Sequence, residues 1–163
     1  MKNNRQFEQD QTEKPMTYRM KVVLIGFFGG LIWSLVAFFG FFFNFMNFGP
    51  ALILMPWELG AWKNTYIGQG VGVLVIAILS ILIAFLYKWM MQKLNTMWAG
   101  VGFGAILWVI VFYICNPFIP GLKTVPNLDR NSIITSACLF LLYGLFIGYS
   151  ISYEYQQQQI SSS

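Results

Sequence analysis

Residues equipped for chemistry are scarce in this chain, and their spacing suits little of it. There is no histidine, which removes the commonest general base and metal ligand. The two cysteines, Cys115 and Cys138, do not form the CxxC of a thiol–disulfide oxidoreductase. Two buried free thiols, or one bond between neighbouring helices, both fit their placement. Ser34, Ser80 and Ser136 have no base to make them nucleophiles. Gly68-Gln-Gly70-Val-Gly72 and Gly100-Val-Gly102-Phe-Gly104 look like phosphate loops, but they lack the Lys and Ser/Thr that such a loop needs. Glu58 lies among aromatic residues with Lys63 five positions on. An exposed pair of that kind contributes about 0–1 kcal/mol, and no second acid or base stands near it. No catalytic, cofactor-binding or metal-ligating residue is assigned, and the expectation is a protein without cofactor that is not an enzyme.

The elements that would position any site are defined by where charge is missing. No Asp, Glu, Lys or Arg lies between Lys21 and Glu58, Lys63 and Lys88, Lys93 and Lys123, or Arg130 and Glu154. These gaps hold 36, 24, 29 and 23 residues. A helix crossing a bilayer core needs about 20 mostly apolar residues, so the gaps predict four spans. Hydrophobic residues make up 57% of the chain and charged residues 10%, against about 25% charged in a soluble domain. Runs such as Val71 to Tyr87 are apolar on nearly every side, and such a helix must be buried or sit in lipid. With four runs in 163 residues, too little protein remains to bury them.

The fold class expected is therefore all-α, an integral membrane four-helix bundle. Its spans run over about 22–44, 66–87, 97–116 and 132–153, forming a single transmembrane domain over 22–153. Residues 1–21 read as a polar cytoplasmic tail without the pattern of a secretory signal. Residues 154–163 read as a Gln/Ser-rich cytoplasmic tail. The N-terminal segment carries five Lys/Arg and the connection between spans two and three carries two, whereas the opposite side carries Lys63, Lys123 and Arg130. The positive-inside rule then places both termini in the cytoplasm. The basic residues flank spans, so nucleic-acid binding is not the reading of the pI near 9.1.

The first gap is too long for one crossing. At 1.5 Å per residue it would reach roughly 54 Å against a core of about 30 Å. Asn44, Asn47, Gly49 and Pro50 supply stop signals. Ala51 to Trp57 is then an apolar outer segment, followed by Trp62. It fits a segment lying in the interface or an apolar loop, and less well a shallow re-entrant turn.

Each span holds a Gly-xxx-Gly pair: Gly26 and Gly30, Gly68 and Gly72, Gly100 and Gly104, Gly144 and Gly148. In lipid, small residues allow the close backbone approach that holds helices together. In span one the pair extends into a stripe with Ala37, Gly40 and Asn44, and in span four Ala137, Gly144, Gly148 and Ser152 form another. These faces are the packing candidates, for a bundle core or for a homo-oligomer interface. Spans one, three and four are expected to pack tightest near the cytoplasm. Asn44, Gln69 and Asn116 are the intramembrane polar candidates, either lining an outward-facing cavity or bonded to each other, to loop carbonyls or at span ends. The phenylalanines from Phe38 to Phe48 read as lipid-facing bulk or as a surface for another membrane protein.

Three words of the sequence, Gly26-Phe-Phe-Gly-Gly-Leu-Ile-Trp-Ser34, Pro56-Trp-Glu-Leu-Gly-Ala-Trp-Lys63 and Leu142-Tyr-Gly-Leu-Phe-Ile-Gly-Tyr-Ser-Ile-Ser-Tyr-Glu154, resemble the YqhR family of conserved membrane proteins from Bacillus-type bacteria. The resemblance covers roughly Lys14 to Tyr155. It implies a small multi-span protein of the bacterial cytoplasmic membrane, with no activity and no site residues to carry over. The partners expected are the lipid bilayer and either a second copy or another membrane protein. The function expected is a structural or regulatory membrane subunit bound through the glycine-rich faces. The alternative is a small oligomeric channel or carrier with Asn44, Gln69 and Asn116 on a polar path.

Overall fold

The structure, a computed structural model, describes residues 16–57, 60, 62, 65–91 and 97–161. Most of the expected N-terminal tail lies outside the described residues, as do Glu58 and Lys63. Four helices carry the fold: α1 (Tyr18–Phe42), α2 (Tyr66–Met91), α3 (Met97–Val109) and α4 (Arg130–Ser161). No strand occurs among the described residues. Three of the four, α1, α2 and α4, are long and apolar enough to cross a membrane. The fourth apolar stretch, Trp98–Ile114, is shorter. It continues α3 through a π turn over Ile110–Ile114, closed by Cys115 N–H donating to the Ile110 carbonyl at 2.9 Å. Pro117 follows directly, and its missing N–H and fixed ring end the helix.

At the end holding the termini the helices outrun the spans read in the sequence, α2 continuing to Met91 past the expected 87. α1 starts at Tyr18, taking Arg19 and Lys21 into its first turn. α4 runs to Ser161, past the expected boundary at 153. Glutamine is a good helix former, and Gln157 Nε2 reaches back one turn to the Tyr153 hydroxyl at 3.1 Å, so the Gln-rich stretch continues the helix already made. The start of α1 and the end of α4 lie side by side. Lys21 Nζ meets Glu154 Oε2 at 2.6 Å, and the Tyr18 and Tyr155 rings are 6.2 Å apart.

At the other end α1 stops because Asn44 takes a left-handed conformation, φ 60°. Asparagine tolerates that region better than other side-chain-bearing residues. The turn lets Phe45 and Met46 N–H donate to the Gly40 carbonyl, at 2.9 and 3.3 Å. The following loop is tied to the start of α4: Asn47 N–H donates to Ser132 Oγ at 3.0 Å, and its side-chain amide donates to Asp129. A 3₁₀ turn, Pro50–Leu54, then folds inward. Ala51 and Leu54 are buried, while Trp57 and Trp62 stay exposed. The apolar outer segment, which fits an interfacial segment or an apolar loop in the sequence, tucks its first half against α2. Only the tryptophans keep the exposed placement that suits a headgroup level.

The helices pack as two pairs, α1 on α2 and α3 on α4, with α1 also crossing α4 and α2 touching α4 lightly. A Cβ on Gly26 would stand 2.8 Å from Ala84 Cβ and 2.9 Å from Ile81 Cα. One on Gly30 would strike Ser80 Cβ. In the second pair, a Cβ on Gly100 would lie 2.8 Å from the Gly144 carbonyl oxygen, and one on Gly104 would strike the Phe140 carbonyl. From the other side, Gly144 approaches Gly104 Cα to 2.5 Å and Gly148 approaches Gly100 Cα to 2.6 Å on the same measure. The glycines of α3 meet those of α4, but Gly26 and Gly30 of α1 meet α2 rather than joining a three-helix waist, and Gly29 of α1 faces Phe146 and Ile147 of α4. Gly68 is buried, and Gly72 meets the Pro50–Leu54 turn first, where a Cβ would strike the Pro50 carbonyl. Between the pairs, a core of Val22, Ala84, Tyr87, Phe103, Ile147 and Ile151 fills the end that holds the termini. A smaller cluster around Phe112, Leu122 and Leu128 closes the opposite end, with Trp108 stacked on Phe112 at 5.0 Å.

Gly30→Leu forces α1 away from Ser80 and Ala77, so it lowers accumulation in membranes several-fold. Leu35→Ile, on an exposed face of α1, leaves accumulation unchanged. Immunoblotting of membrane fractions reads both, and equal levels of the two variants would remove the close-approach argument.

Candidate site: an apolar cavity with a hydrogen-bonded floor

The two-pair arrangement leaves space where α1, α2 and α4 diverge. A cavity of about 270 Å³ opens there, bounded by Trp33 and Ala37 of α1, Ile76 and Leu79 of α2, and Leu139 and Phe140 of α4. The Phe48–Ile53 loop and Leu122 cover the end away from the termini. Its lining is almost wholly apolar. A cavity of about 150 Å³ lined by aliphatic and aromatic side chains stays dry and accepts apolar guests, so this larger one is a site for apolar matter and not for water.

The few polar groups at its walls are already bonded. Ser80, fully buried on α2, sits 2.6 Å from the Gly26 carbonyl and 2.6 Å from the Tyr143 hydroxyl. A serine has one proton to give. The carbonyl takes it, so the Tyr143 hydroxyl donates to Ser80 Oγ. One serine thus links α1, α2 and α4 at the cavity floor. Ser34 bonds the Leu31 carbonyl within α1 at 3.1 Å. Ser136 donates to the Ile133 carbonyl at 3.0 Å and receives Trp108 Nε1–H at 3.1 Å, joining α3 to α4.

The three amides singled out in the sequence are not gathered into one place. Gln69 is buried and its Oε1 accepts Ala51 N–H at 3.0 Å, pinning the Pro50–Leu54 turn to α2. Gly49 faces this amide, and a Cβ there would lie 2.5 Å from Oε1. Asn116 donates to the Leu122 and Lys123 carbonyls at 3.3 and 3.4 Å. Asn44 is exposed at the turn that ends α1. Each amide serves a loop, and no single path joins them. Of the stripe on α1, Gly26 and Gly30 lie in the helix seam, Ala37 lines the cavity, and Gly40 has Met46 Cε 3.3 Å from where a Cβ would stand. Both cysteines are free, and Cys138 is exposed. Among the described residues no group of His, Cys, Asp and Glu is placed to hold a metal ion.

Two features of this region escaped the sequence reading. The Ser80–Tyr143 bond joins residues 63 apart, and nothing in their local pattern marks it. Tyr87, at the end of the apolar run of span two, is fully buried, stands edge-on to Phe103 at 5.0 Å, and has a hydroxyl without a hydrogen-bond partner. Gly148 makes room for it: a Cβ there would lie 2.9 Å from that hydroxyl.

The comparisons with known proteins agree on one family. The family model "Conserved membrane protein YqhR" matches residues 2–163. The Bacillus subtilis (strain 168) protein named "Uncharacterized protein YqhR" is 41% identical over 148 residues, spanning 91% of this chain and 83% of its own length. No solved structure matches the chain.

The hydrogen-bond pattern predicts opposite signs for two small deletions. Ser80→Ala strands the buried Tyr143 hydroxyl and removes the second donor to the Gly26 carbonyl, a loss of about 1–3 kcal/mol. Tyr87→Phe removes a hydroxyl that bonds nothing, so stability is unchanged or raised. Thermal unfolding of the purified protein in one detergent orders them, and a Tyr87→Phe variant less stable than Ser80→Ala would refute the assignment.

Proposed function

The chain belongs to the YqhR family of conserved membrane proteins, and from that premise we propose that it is a non-catalytic membrane subunit that holds one lipid acyl chain in the cavity between α1, α2 and α4. It crosses the bacterial cytoplasmic membrane four times, with both termini in the cytoplasm. Support for four crossings comes from α3, whose apolar stretch Trp98–Ile114 rises about 26 Å at 1.5 Å per residue, close to a core of about 30 Å. Support for the orientation comes from the excess of Lys and Arg on the side of the termini.

The observation that carries the acyl-chain reading is the cavity itself: about 270 Å³, apolar, its polar wall groups mutually bonded. It reaches the surface beside α2, because Leu79 both lines it and is exposed. Across that opening α2 and α3 are not a packed pair; they meet where the Tyr87 ring stands against Phe103, nearer the termini. Lipid is the solvent at this opening, so an acyl chain is the apolar guest present at highest concentration. A structural or regulatory role towards a second membrane protein stays part of the proposal, but its contact surface moves. The glycine faces expected to bind a partner are engaged inside the bundle. The carrier alternative loses its supposed path, since Gln69, Asn116 and Asn44 serve separate loops.

A phospholipid bearing a diazirine in mid-chain tests this in vesicles containing the full chain. Photolysis is expected to label Leu79, Leu139 or Phe140 several-fold more than Phe39, which is exposed on α1. Leu139→Trp, which fills the cavity, is expected to abolish the excess without changing Phe39 labelling. Equal labelling of the two groups, unaffected by Leu139→Trp, would reject the acyl-chain site.

A further inference from the structure

A second place on the molecule carries chemistry that the cavity does not. At the end holding the termini, Arg19 of α1 and Lys88 of α2 line an open pocket of about 440 Å³, walled by Phe85 and Trp89. The two cations stand close enough for the charge on Arg19 to act on Lys88. Like charges in such proximity repel, and among the described residues no carboxylate lines the pocket. The neighbouring acid, Glu154, is held by Lys21 at 2.6 Å. Among the described residues neither Arg19 nor Lys88 forms a salt bridge. Lys88 is instead drawn over the Tyr18 ring, 4.5 Å from its centroid. That contact attracts the ammonium but leaves its charge in place.

We propose that this pocket binds the phosphate of an anionic phospholipid headgroup, with Arg19 and Lys88 supplying the positive charge. Each cation brings a full positive charge and several N–H donors, and phosphate oxygens accept from either. Basic pockets between helices at the cytoplasmic boundary are placed to take such headgroups. The walls select a lipid over a soluble phosphate. Trp89 is 83% exposed and Phe85 lies at the rim, so an apolar surface continues from the cations along the lipid-facing side of α2. A headgroup bound here lays its chains on that surface, whereas a free phosphate gains nothing from it. This site is distinct from the acyl-chain cavity, which lies towards the opposite end of the bundle, and the two stand or fall separately.

The test uses the full chain, purified in a neutral detergent and titrated with phosphatidylglycerol or phosphatidylcholine while native mass spectrometry counts retained lipid. Phosphatidylglycerol is expected to bind more tightly than phosphatidylcholine. Arg19→Gln and Lys88→Gln each weaken it about fivefold, as expected for about one such charge near a membrane surface, and the double variant weakens it tenfold or more. Arg19→Lys retains most of the affinity, and Lys123→Gln, at the other end, retains all of it. Equal binding of the two lipids overturns the proposal. So does a loss in Arg19→Lys as large as that in Arg19→Gln, which would give Arg19 a packing role. Displacement of bound phosphatidylglycerol by millimolar inorganic phosphate would make the pocket a small-anion site and also overturn it. Lys88→Gln lies at a pocket rim, so it keeps the test decisive if Arg19→Gln fails to fold.

Discussion

The distance between helix backbones is the constraint on which the rest of this structure depends. In lipid, two apolar helices gain no hydrophobic energy from meeting, so van der Waals contact at short range must hold them. Gly100 and Gly104 on α3 reach Gly144 and Gly148 on α4 so closely that a Cβ on any of the four would strike the facing backbone. Gly26 and Gly30 do the same for α1 against Ser80 and Ala84 of α2. Each seam draws two helices together and leaves the other two to be held by larger side chains. The bundle is thus two tight pairs joined loosely, and the loose join is where space appears.

Polar groups reinforce that division. A buried hydroxyl or amide in a membrane must find a partner or carry a cost of several kcal/mol. Ser80 can bond the Gly26 carbonyl only because Gly30 and Gly26 let α1 come so near, and only then is its lone pair placed to receive Tyr143 from α4. The hydrogen bond that ties the two pairs together therefore depends on the glycine seam within one of them. Gln69 repeats the logic at the end opposite the termini: Gly49 and Gly72 give the Pro50–Leu54 turn access to α2, and the amide then holds the buried Ala51 N–H. These bonds leave the cavity wall with no free polar group, so its apolar character is a product of the packing.

The gaps in charge made four helical segments legible, and the helix cores fall where the gaps lie. The stop after α1 was legible too, since Asn44 and Pro50 punctuate the chain for local conformational reasons. The glycine pairs announced close packing, but not which helix each would meet. A stripe of small residues says that something approaches, and the identity of the neighbour is a matter of topology. Gly72 shows this well, because its neighbour is the Pro50 carbonyl of a loop. The outer segment was legible only as alternatives, for a related reason. Its hydrophobicity fits the membrane interface as well as the flank of a helix, and only the Gln69 amide separates the two. The cavity was not legible at all. It is a difference between where helices touch and where they do not, and no residue encodes it alone.

α2 and α3 are neighbours without a seam of small residues between them: Gly70 and Gly102, the glycines free of any close approach on those helices, would meet nothing within 4 Å if given a Cβ. Their meeting rests on Tyr87 against Phe103, and the Tyr87 hydroxyl there lacks a partner. An interface held by ring contact and carrying an unsatisfied hydroxyl is less costly to open than one held by backbone contact, because fewer atoms lose their neighbours. Under the proposed acyl-chain role, widening of the bundle falls on the α2–α3 side, while the glycine seams stay closed. The glycine seams and the ring contact of Tyr87 with Phe103 are different kinds of join within the same helices, and only the second can part without the loss of backbone contact.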